Sequence, residues 1–457
     1  MEEIRLKNFR CFREQQTARM APLTLLVGEN STGKTSFMAL IRALWDAVYA
    51  EAVPDFKETP YDLGSFDEIV HNRSRRDADG ESIEVGLTIR RVQAHDDDGE
   101  CWEDRRYRVD VTFARKGAFP VPAKWRLSRG DVWIEECVES DSRSLHYRTA
   151  NGEWSENRPA DDRFVTGARG RILGSAVLGL TLDPFHDLES SSPGYKPWSG
   201  HSDITGTDRE QLYSLVYGFR GFELPQSDER PFAGAPVRSK PRRTYDPARP
   251  TRDPEGENIP MYLSTAFFED KESWEALKDD LESFGCEAGL FDEIAVRSLG
   301  KRGGEPFQLQ VRKYGTRAKG PMRNLIDVGY GVSQVLPILT ELFRNSRTCM
   351  FLLQQPEVHL HPSAQAALGS LFCNIAAPYR QLVVETHSDH LLDRVRMDVR
   401  DGRSRLKPAE VSILFFERGD LDVRIHSLRL DGEGNVLGAP PSYRRFFMEE
   451  SRRSLRL

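Results

Sequence analysis

No stretch of this chain is apolar over a length that could cross a bilayer as a helix, and its start, Met1-Glu2-Glu3, lacks the basic and apolar regions of a signal peptide. Paired cysteines are missing too. Cys11, Cys101, Cys137, Cys286, Cys349 and Cys373 are scattered without a Cys-x-x-Cys spacing, which argues against a zinc site or a disulfide frame and for free thiols in a reducing compartment. Nor is there an excess of positive charge: 64 basic residues face 71 acidic ones, so no global basic field points to nucleic acid. Internal repeats and low-complexity tracts are also absent. Together these absences predict a cytoplasmic, membrane-free globular protein, and 457 residues allow two or three domain-sized units or one discontinuous domain carrying insertions.

What the chain does have, close to its start, is Leu23-Thr24-Leu25-Leu26-Val27-Gly28-Glu29-Asn30-Ser31-Thr32-Gly33-Lys34-Thr35-Ser36. An apolar run gives way to Gly-x-x-x-x-Gly-Lys-Thr, and Phe37, Leu40, Ile41, Leu44 and Val48 then recur at helical spacing. Strand, loop and helix therefore fall in the order that a phosphate-binding loop requires. Glycines let the backbone curl so that successive N–H groups point inward at a phosphate. Lys34 adds a cation for the β and γ groups, and the Thr35 hydroxyl is the kind of group that ligates magnesium. A site for ATP and Mg2+ is expected on Asn30, Ser31, Thr32, Gly33, Lys34, Thr35 and Ser36.

Elsewhere the pattern alternates between β and α. Ile4 to Arg10 reads as a half-buried strand, as do Ile83, Val85, Leu87 and Ile89, then Tyr107, Val109, Val111 and Phe113, and a segment with Val132 and Ile134. Asp96-Asp97-Asp98 fits a solvated hairpin tip. From about 155 to 260, Pro, Gly, Ser and Arg break the periodicity, and Arg230, Arg238, Lys240, Arg242, Arg243, Arg249 and Arg252 crowd together. That arm could grip nucleic-acid phosphates, or it could be solvated or salt-bridged internally; interrupting acids such as Asp246 and Asp253 favour the second. Helical spacing resumes at Trp274, Leu277, Leu281 and Phe284. Short buried-type strands at 350–353, 382–384 and 411–416, with helices expected at 364–375 and 389–396, argue for a mainly parallel sheet. The expected layout is a phosphate-loop lobe at 1–80, an antiparallel β region at 81–154, a partly irregular helical insertion at 155–299, a second lobe at 300–430 and a tail at 431–457.

Three later segments complement the loop. In Asp327-Val328-Gly329-Tyr330-Gly331-Val332-Ser333-Gln334 a helix start offers N–H groups and a hydroxyl to an anion, although Ser333 as a simple N-cap would explain most of it. The others are Phe351-Leu352-Leu353-Gln354-Gln355-Pro356-Glu357-Val358-His359-Leu360-His361-Pro362 and Val383-Val384-Glu385-Thr386-His387-Ser388. His359 and His361 have no further ligands at metal spacing, so zinc carries little weight.

The order of an Asn-Phe-Arg strand, the phosphate loop, Gly-Tyr-Gly-Val-Ser-Gln, Pro-Glu-x-His-Leu-His-Pro and Thr-His-Ser resembles the ABC-type head ATPases of the RecF, SMC and OLD-endonuclease group, most of all their compact single-head bacterial relatives. The resemblance spans roughly 1–115 and 300–430. It implies an α/β P-loop ATPase head with a mixed sheet, whose Gly331, Ser333 and Gln334 form the signature that meets the nucleotide of a second subunit. It also implies that His387 senses the γ-phosphate and that Gln354, Gln355 and Glu357 stand where magnesium and the attacking water are handled. Two heads would sandwich two nucleotides.

Gln354-Gln355 departs from the group, which usually ends this strand in acids. An amide is no general base and a poorer magnesium partner than a carboxylate. Three readings stay open: Glu357 takes the acid role, ATP acts mainly as a glue, or glutamine was put in place of glutamate at 354 to trap a bound state, the last being preferred. No Toprim-type nuclease segment is read after the second lobe, so a nuclease or toxin would be a separate effector protein. The resemblance suggests an anti-phage module controlling such an effector; a RecF-like DNA-repair ATPase and a non-hydrolysing scaffold are the alternatives.

Overall fold

The computed structural model describes residues 1–48, 54–71, 82–93, 103–138, 142–159, 206–220, 230–300, 305–316, 318–344, 348–443 and 445. The expected acidic hairpin tip at 96–98 and much of the expected insertion lie outside these residues. In chain order come β1 (Glu3–Lys7), β2 (Gln16–Arg19), β3 (Leu23–Gly28), α1 (Lys34–Val48) and the short α2 (Phe66–Ile69). Next are β4 (Ser82–Gln93), β5 (Glu103–Lys116), β6 (Phe119–Arg129), β7 (Val132–Val138), β8 (Ser142–Thr149), β9 (Gly152–Pro159) and α3 (Gly206–Arg220). After β10 (Phe232–Gly234) follow α4 (Ile259–Glu269), α5 (Lys271–Glu287), β11 (Glu293–Ser298), β12 (Phe307–Arg312) and β13 (Arg323–Asn324). The last third holds α6 (Tyr330–Phe343), β14 (Met350–Gln354), α7 (Pro362–Ile375), β15 (Gln381–Glu385), α8 (Asp389–Arg400), β16 (Val411–Gly419), β17 (Asp422–Leu430) and β18 (Val436–Leu437).

These elements form two compact units that interleave along the chain. One comprises Met1–Met20, Ser36–Gln226 and Arg418–Ile425; the other comprises Ala21–Thr35, Ser227–Glu417 and His426–Leu457. The first unit is built on an eight-stranded antiparallel sheet in the order β2-β1-β4-β5-β6-β7-β8-β9. Its register follows from the alternation in the sequence. Ile83, Val85, Leu87 and Ile89 pair with Phe113, Val111, Val109 and Tyr107, while Ile4 and Leu6 of β1 pair with Leu87 and Val85. All ten are buried, so a one-residue slip would turn the apolar face outward.

The second unit carries a seven-stranded sheet ordered β10-β14-β15-β3-β16-β17-β18. β10, β14, β15, β3 and β16 run parallel, and their central strands are the unbroken apolar runs expected of strands covered on both faces. Helices α7 and α8 make the crossovers from β14 to β15 and from β15 to β16. A three-stranded sheet, β11-β12-β13, joins the same unit, and Trp274, Leu277, Leu281 and Phe284 of α5 enter its core as their spacing predicts. Helix α1 buries more than the predicted face, since Met38, Ala39, Ala43, Trp45 and Ala47 are buried as well.

The strand order fixes the functional end of the second unit. β3 lies between β15 and β16, so its carboxyl end, where the glycine loop begins, is flanked by the carboxyl ends of two parallel neighbours. Gly28 makes that packing possible: its φ is +144°, and a Cβ there would sit 2.6 Å from the Phe416 carbonyl oxygen of β16. Both facts demand glycine. Gly28→Ala is expected to lower the stability of the second unit by about 2–3 kcal/mol, read as a fall in the urea midpoint; an unchanged midpoint would refute this account of the strand packing.

Candidate functional site

The loop after β3 folds as its residues require. Ser31 and Gly33 take positive φ (59° and 85°), and the Thr32 hydroxyl donates to the Glu29 carbonyl at 2.8 Å, closing the curl. Lys34, the first residue of α1, is buried, and its Nζ reaches back to the carbonyls of Gly28 (3.1 Å) and Glu29 (2.6 Å). Asn30, Ser31 and Thr35 are exposed around it, whereas Thr32 and Ser36 are buried. A buried ammonium at a helix start, beside a glycine-rich curl, is a cradle for phosphate. Burial lowers the Lys34 pKa, opposed by the carboxylates of Glu385 and Glu29.

Glu385 is the residue that sequence reasoning missed. It ends β15, directly beside the loop strand, and accepts a hydrogen bond from the Thr35 hydroxyl at 3.1 Å while its other oxygen lies 4.0 Å from Lys34 Nζ. Parallel register sets it opposite Gln354, the last residue of β14. Burial raises its pKa, countered by Lys34, Thr35, Gln355 and Gln354. The only hint in the sequence was an acid at the end of an apolar run; its relevance depends on strand order, which the local pattern does not encode.

Beyond Gln354 the chain turns sharply. Gln355 adopts φ +42° and its N–H donates to the Glu385 carbonyl at 2.8 Å, tying the two strand ends together. Glu357 is buried and its carboxylate accepts from the His387 N–H at 2.8 Å, so it anchors the turn that carries the histidine. Burial raises the Glu357 pKa; the His387 amide, its own backbone, Thr386 and Arg238 oppose that rise. The His387 ring is exposed, yet its pKa is held below the ordinary 6.5 by partial desolvation and by Lys34. Ser388 caps α8 by accepting from the Leu391 N–H at 3.0 Å.

At the start of α6 the structure corrects one expectation. Ser333 is not the N-cap: the helix begins at Tyr330 with Gly329 as cap, and the Ser333 hydroxyl, one turn in, donates to the Tyr330 carbonyl at 2.8 Å. A cap needs an extended backbone, which Gly329 supplies with ψ 143°. Gly331 is there because a Cβ would stand 2.7 Å from the His359 carbonyl oxygen. Buried Gln334 exchanges two hydrogen bonds with the backbone of Arg238, both 3.3 Å, and the Arg238 guanidinium donates to the Gln354 carbonyl at 3.0 Å. One arginine thus joins the start of α6 to the end of β14. Burial brings its pKa down to about 10, so it stays cationic at neutral pH.

The structure therefore gathers Lys34, Thr35, Gln354, Gln355, Glu357 and His387 at the ends of β3, β14 and β15, while Gly331, Ser333 and Gln334 are held by Tyr330, His359 and Arg238. The basic arm is largely committed to the chain itself. Arg242 pairs with Glu257, Arg243 with Asp327 at 2.6 Å, and Arg252 with the buried Glu341 at 2.7 Å. His361 accepts from the Ser363 N–H at the start of α7, and among the described residues no group of three or more His, Cys, Asp or Glu could hold a metal ion.

Comparison with known proteins agrees with this geometry. Residues 184–393 match a family described as "AAA domain, putative AbiEii toxin, Type IV TA system", and residues 1–79 match an AAA ATPase domain. No curated protein matches. Among solved structures, an SMC head bound to the C-winged helix domain of ScpA aligns with 11% identity over 94% of this chain and 98% of that one, TM-score 0.41. The SMC head domain from Thermotoga maritima gives 9%, 93%, 98% and 0.33, and the Smc head from Pyrococcus furiosus with an extended coiled coil, bound to a ScpA domain, gives 11%, 100%, 98% and 0.37. All three scores are below 0.5, so the assignment rests on this chain's strand order, its loop chemistry and the family matches. These define a P-loop ATPase. More narrowly, both family matches are to domains of the AAA type.

The shifted histidine gives a test with a definite sign. A depressed pKa means that the fold favours the neutral imidazole, so His387 contributes its full stability above about pH 6.5 and loses it as pH falls through the lower folded value. Titrated by NMR, His387 should have a pKa below 6.5, and Lys34→Met should move it upward without restoring 6.5, because burial, the larger cause, remains. A titration insensitive to Lys34 would contradict the arrangement.

Proposed function

We propose that this chain binds ATP with magnesium on the loop from Gly28 to Ser36 and that ATP draws two copies together, the α6 start of one closing on the nucleotide held by the other. The observation carrying this reading is the buried Lys34 facing Thr35 and Glu385 at the strand ends, a donor and acceptor set that suits a magnesium–triphosphate. Lys34 and the loop amides would hold the phosphates, Thr35 the metal, and neutral His387 would offer a hydrogen bond beside the terminal phosphate. When bound, magnesium neutralises phosphate charge. The exposed cap, Gly329 and Tyr330, places the start of α6 at the surface, within reach of a second copy.

Gln354 and Gln355 cannot take a proton from water, so on this reading hydrolysis is slow and the ATP-joined state is long-lived. Such a state suits a switch that controls a separate effector. The matched family's description names a toxin and a toxin–antitoxin system, which supports an effector of that kind in anti-phage defence. A RecF-like DNA-binding role is less well supported, because three arginines of the arm, Arg242, Arg243 and Arg252, are paired within the chain.

Gly329 offers a clean test: its φ of −57° suits any residue, and a Cβ there meets nothing within 4 Å. Gly329→Glu should fold normally and bind ATP but fail to associate on adding ATP, as judged by light scattering. Lys34→Ala should fail as well. Mixed, the two variants should recover ATP-dependent association, since one supplies an intact loop and the other an intact cap. Full association by Gly329→Glu alone would overturn the proposal.

A further inference from the structure

We propose that Glu385 is the carboxylate that holds magnesium in this ATPase, in place of the acid that is missing at Gln354. The assignment rests on the ATP–magnesium reading above and adds the residue that anchors the metal.

Four observations lead to it. First, Gln354 and Glu385 are partners across the parallel pair β14–β15, each the last residue of its strand. Exchanging amide and carboxylate between them moves the negative charge by one strand spacing, about 5 Å, and leaves it in the same row of strand ends. Second, β15 rather than β14 adjoins the loop strand, with Glu385 paired to Leu26, so the acid has moved toward the phosphate loop. Third, Glu385 already contacts the other metal-type group: its Oε2 accepts from the Thr35 hydroxyl at 3.1 Å. Fourth, the ion pair of this carboxylate is a long one. Glu385 is buried, and the ammonium of Lys34 stands 4.0 Å away, beyond hydrogen-bonding distance, with its own contacts directed to the Gly28 and Glu29 carbonyls. A carboxylate removed from water needs a close cation, and a magnesium shared with phosphates needs only one or two protein ligands.

The two glutamines then have a physical part. Gln355 donates its backbone N–H to the Glu385 carbonyl, and both glutamine side chains favour the ionised Glu385 carboxylate. They orient the acid as neutral partners, where a second carboxylate at 354 would raise the repulsion between like charges. On this assignment Gln354 is a native member of the site.

The test uses the full chain and Mn2+, a paramagnetic stand-in for magnesium, with ATP. Free Mn2+ is followed by electron paramagnetic resonance, and ATP affinity is measured separately in chelator with a fluorescent ATP analogue. Glu385→Gln is expected to weaken Mn2+ binding to the ATP-loaded protein by about 10- to 100-fold while metal-free affinity for the analogue changes little. Restoring the acid on the neighbouring strand, Gln354→Glu together with Glu385→Gln, should recover most of the Mn2+ affinity. The proposal is overturned if Glu385→Gln keeps wild-type Mn2+ affinity, if its metal-free analogue binding falls as far as its Mn2+ binding, or if the double variant stays as weak as the single one. Failure of the wild-type protein to bind the analogue at all would instead sink the nucleotide reading beneath it.

Discussion

A buried ammonium at the start of α1 and a buried carboxylate at the end of β15, 4.0 Å apart, set the terms for the rest of this molecule. Neither charge is stable in the interior without partners. Lys34 obtains them from the curl of its own loop, which demands glycine at positions 28 and 33 and a left-handed serine at 31. Glu385 obtains them from Thr35 and the two glutamines, which demands that β14, β15 and β3 end in register. The parallel order of the sheet is thus the device that keeps these charges together, and the site is only as ordered as that sheet.

A second connection runs through Arg238. It links the start of α6, by its exchange with Gln334, to the Gln354 carbonyl at the end of β14. Closure by a second copy at α6 would therefore press on a group that is bonded to the strand end beside Glu385. Coupling of this kind needs no long pathway. It also explains why arginine stands at 238 in an arm that otherwise reads as a phosphate grip: its cation is buried near Glu357 and is used within the chain.

Much of this was legible in the sequence because the signals were local. The apolar run before Gly28, the loop itself and the helix after it are read within a few turns of chain, and so are β14, β15, β16 and helices α7 and α8. The alternation at 83–89 and 107–113 marks two strands of an antiparallel region, and the structure adds which residues pair. What was not legible depends on distance in sequence. Glu385 gains its meaning from lying beside Thr35, 350 positions away, and only strand order reveals that. Ser333 read as a cap because serine before an apolar run is a common cap signal, yet the extended backbone belongs to Gly329. The partners of Arg242, Arg243 and Arg252 in the basic arm, Glu257, Asp327 and Glu341, lie up to 89 positions away, so composition alone could not say that these three were already paired.

The central claim is that the loop around Lys34 is the nucleotide site, and equilibrium calorimetry with ATP and magnesium tests it most directly. The wild-type chain should bind one ATP per copy. Lys34→Ala should lose about 100-fold in affinity, the cost of removing one charged hydrogen-bonding group at ~2–3 kcal/mol. Equal affinity in the two proteins would contradict the account.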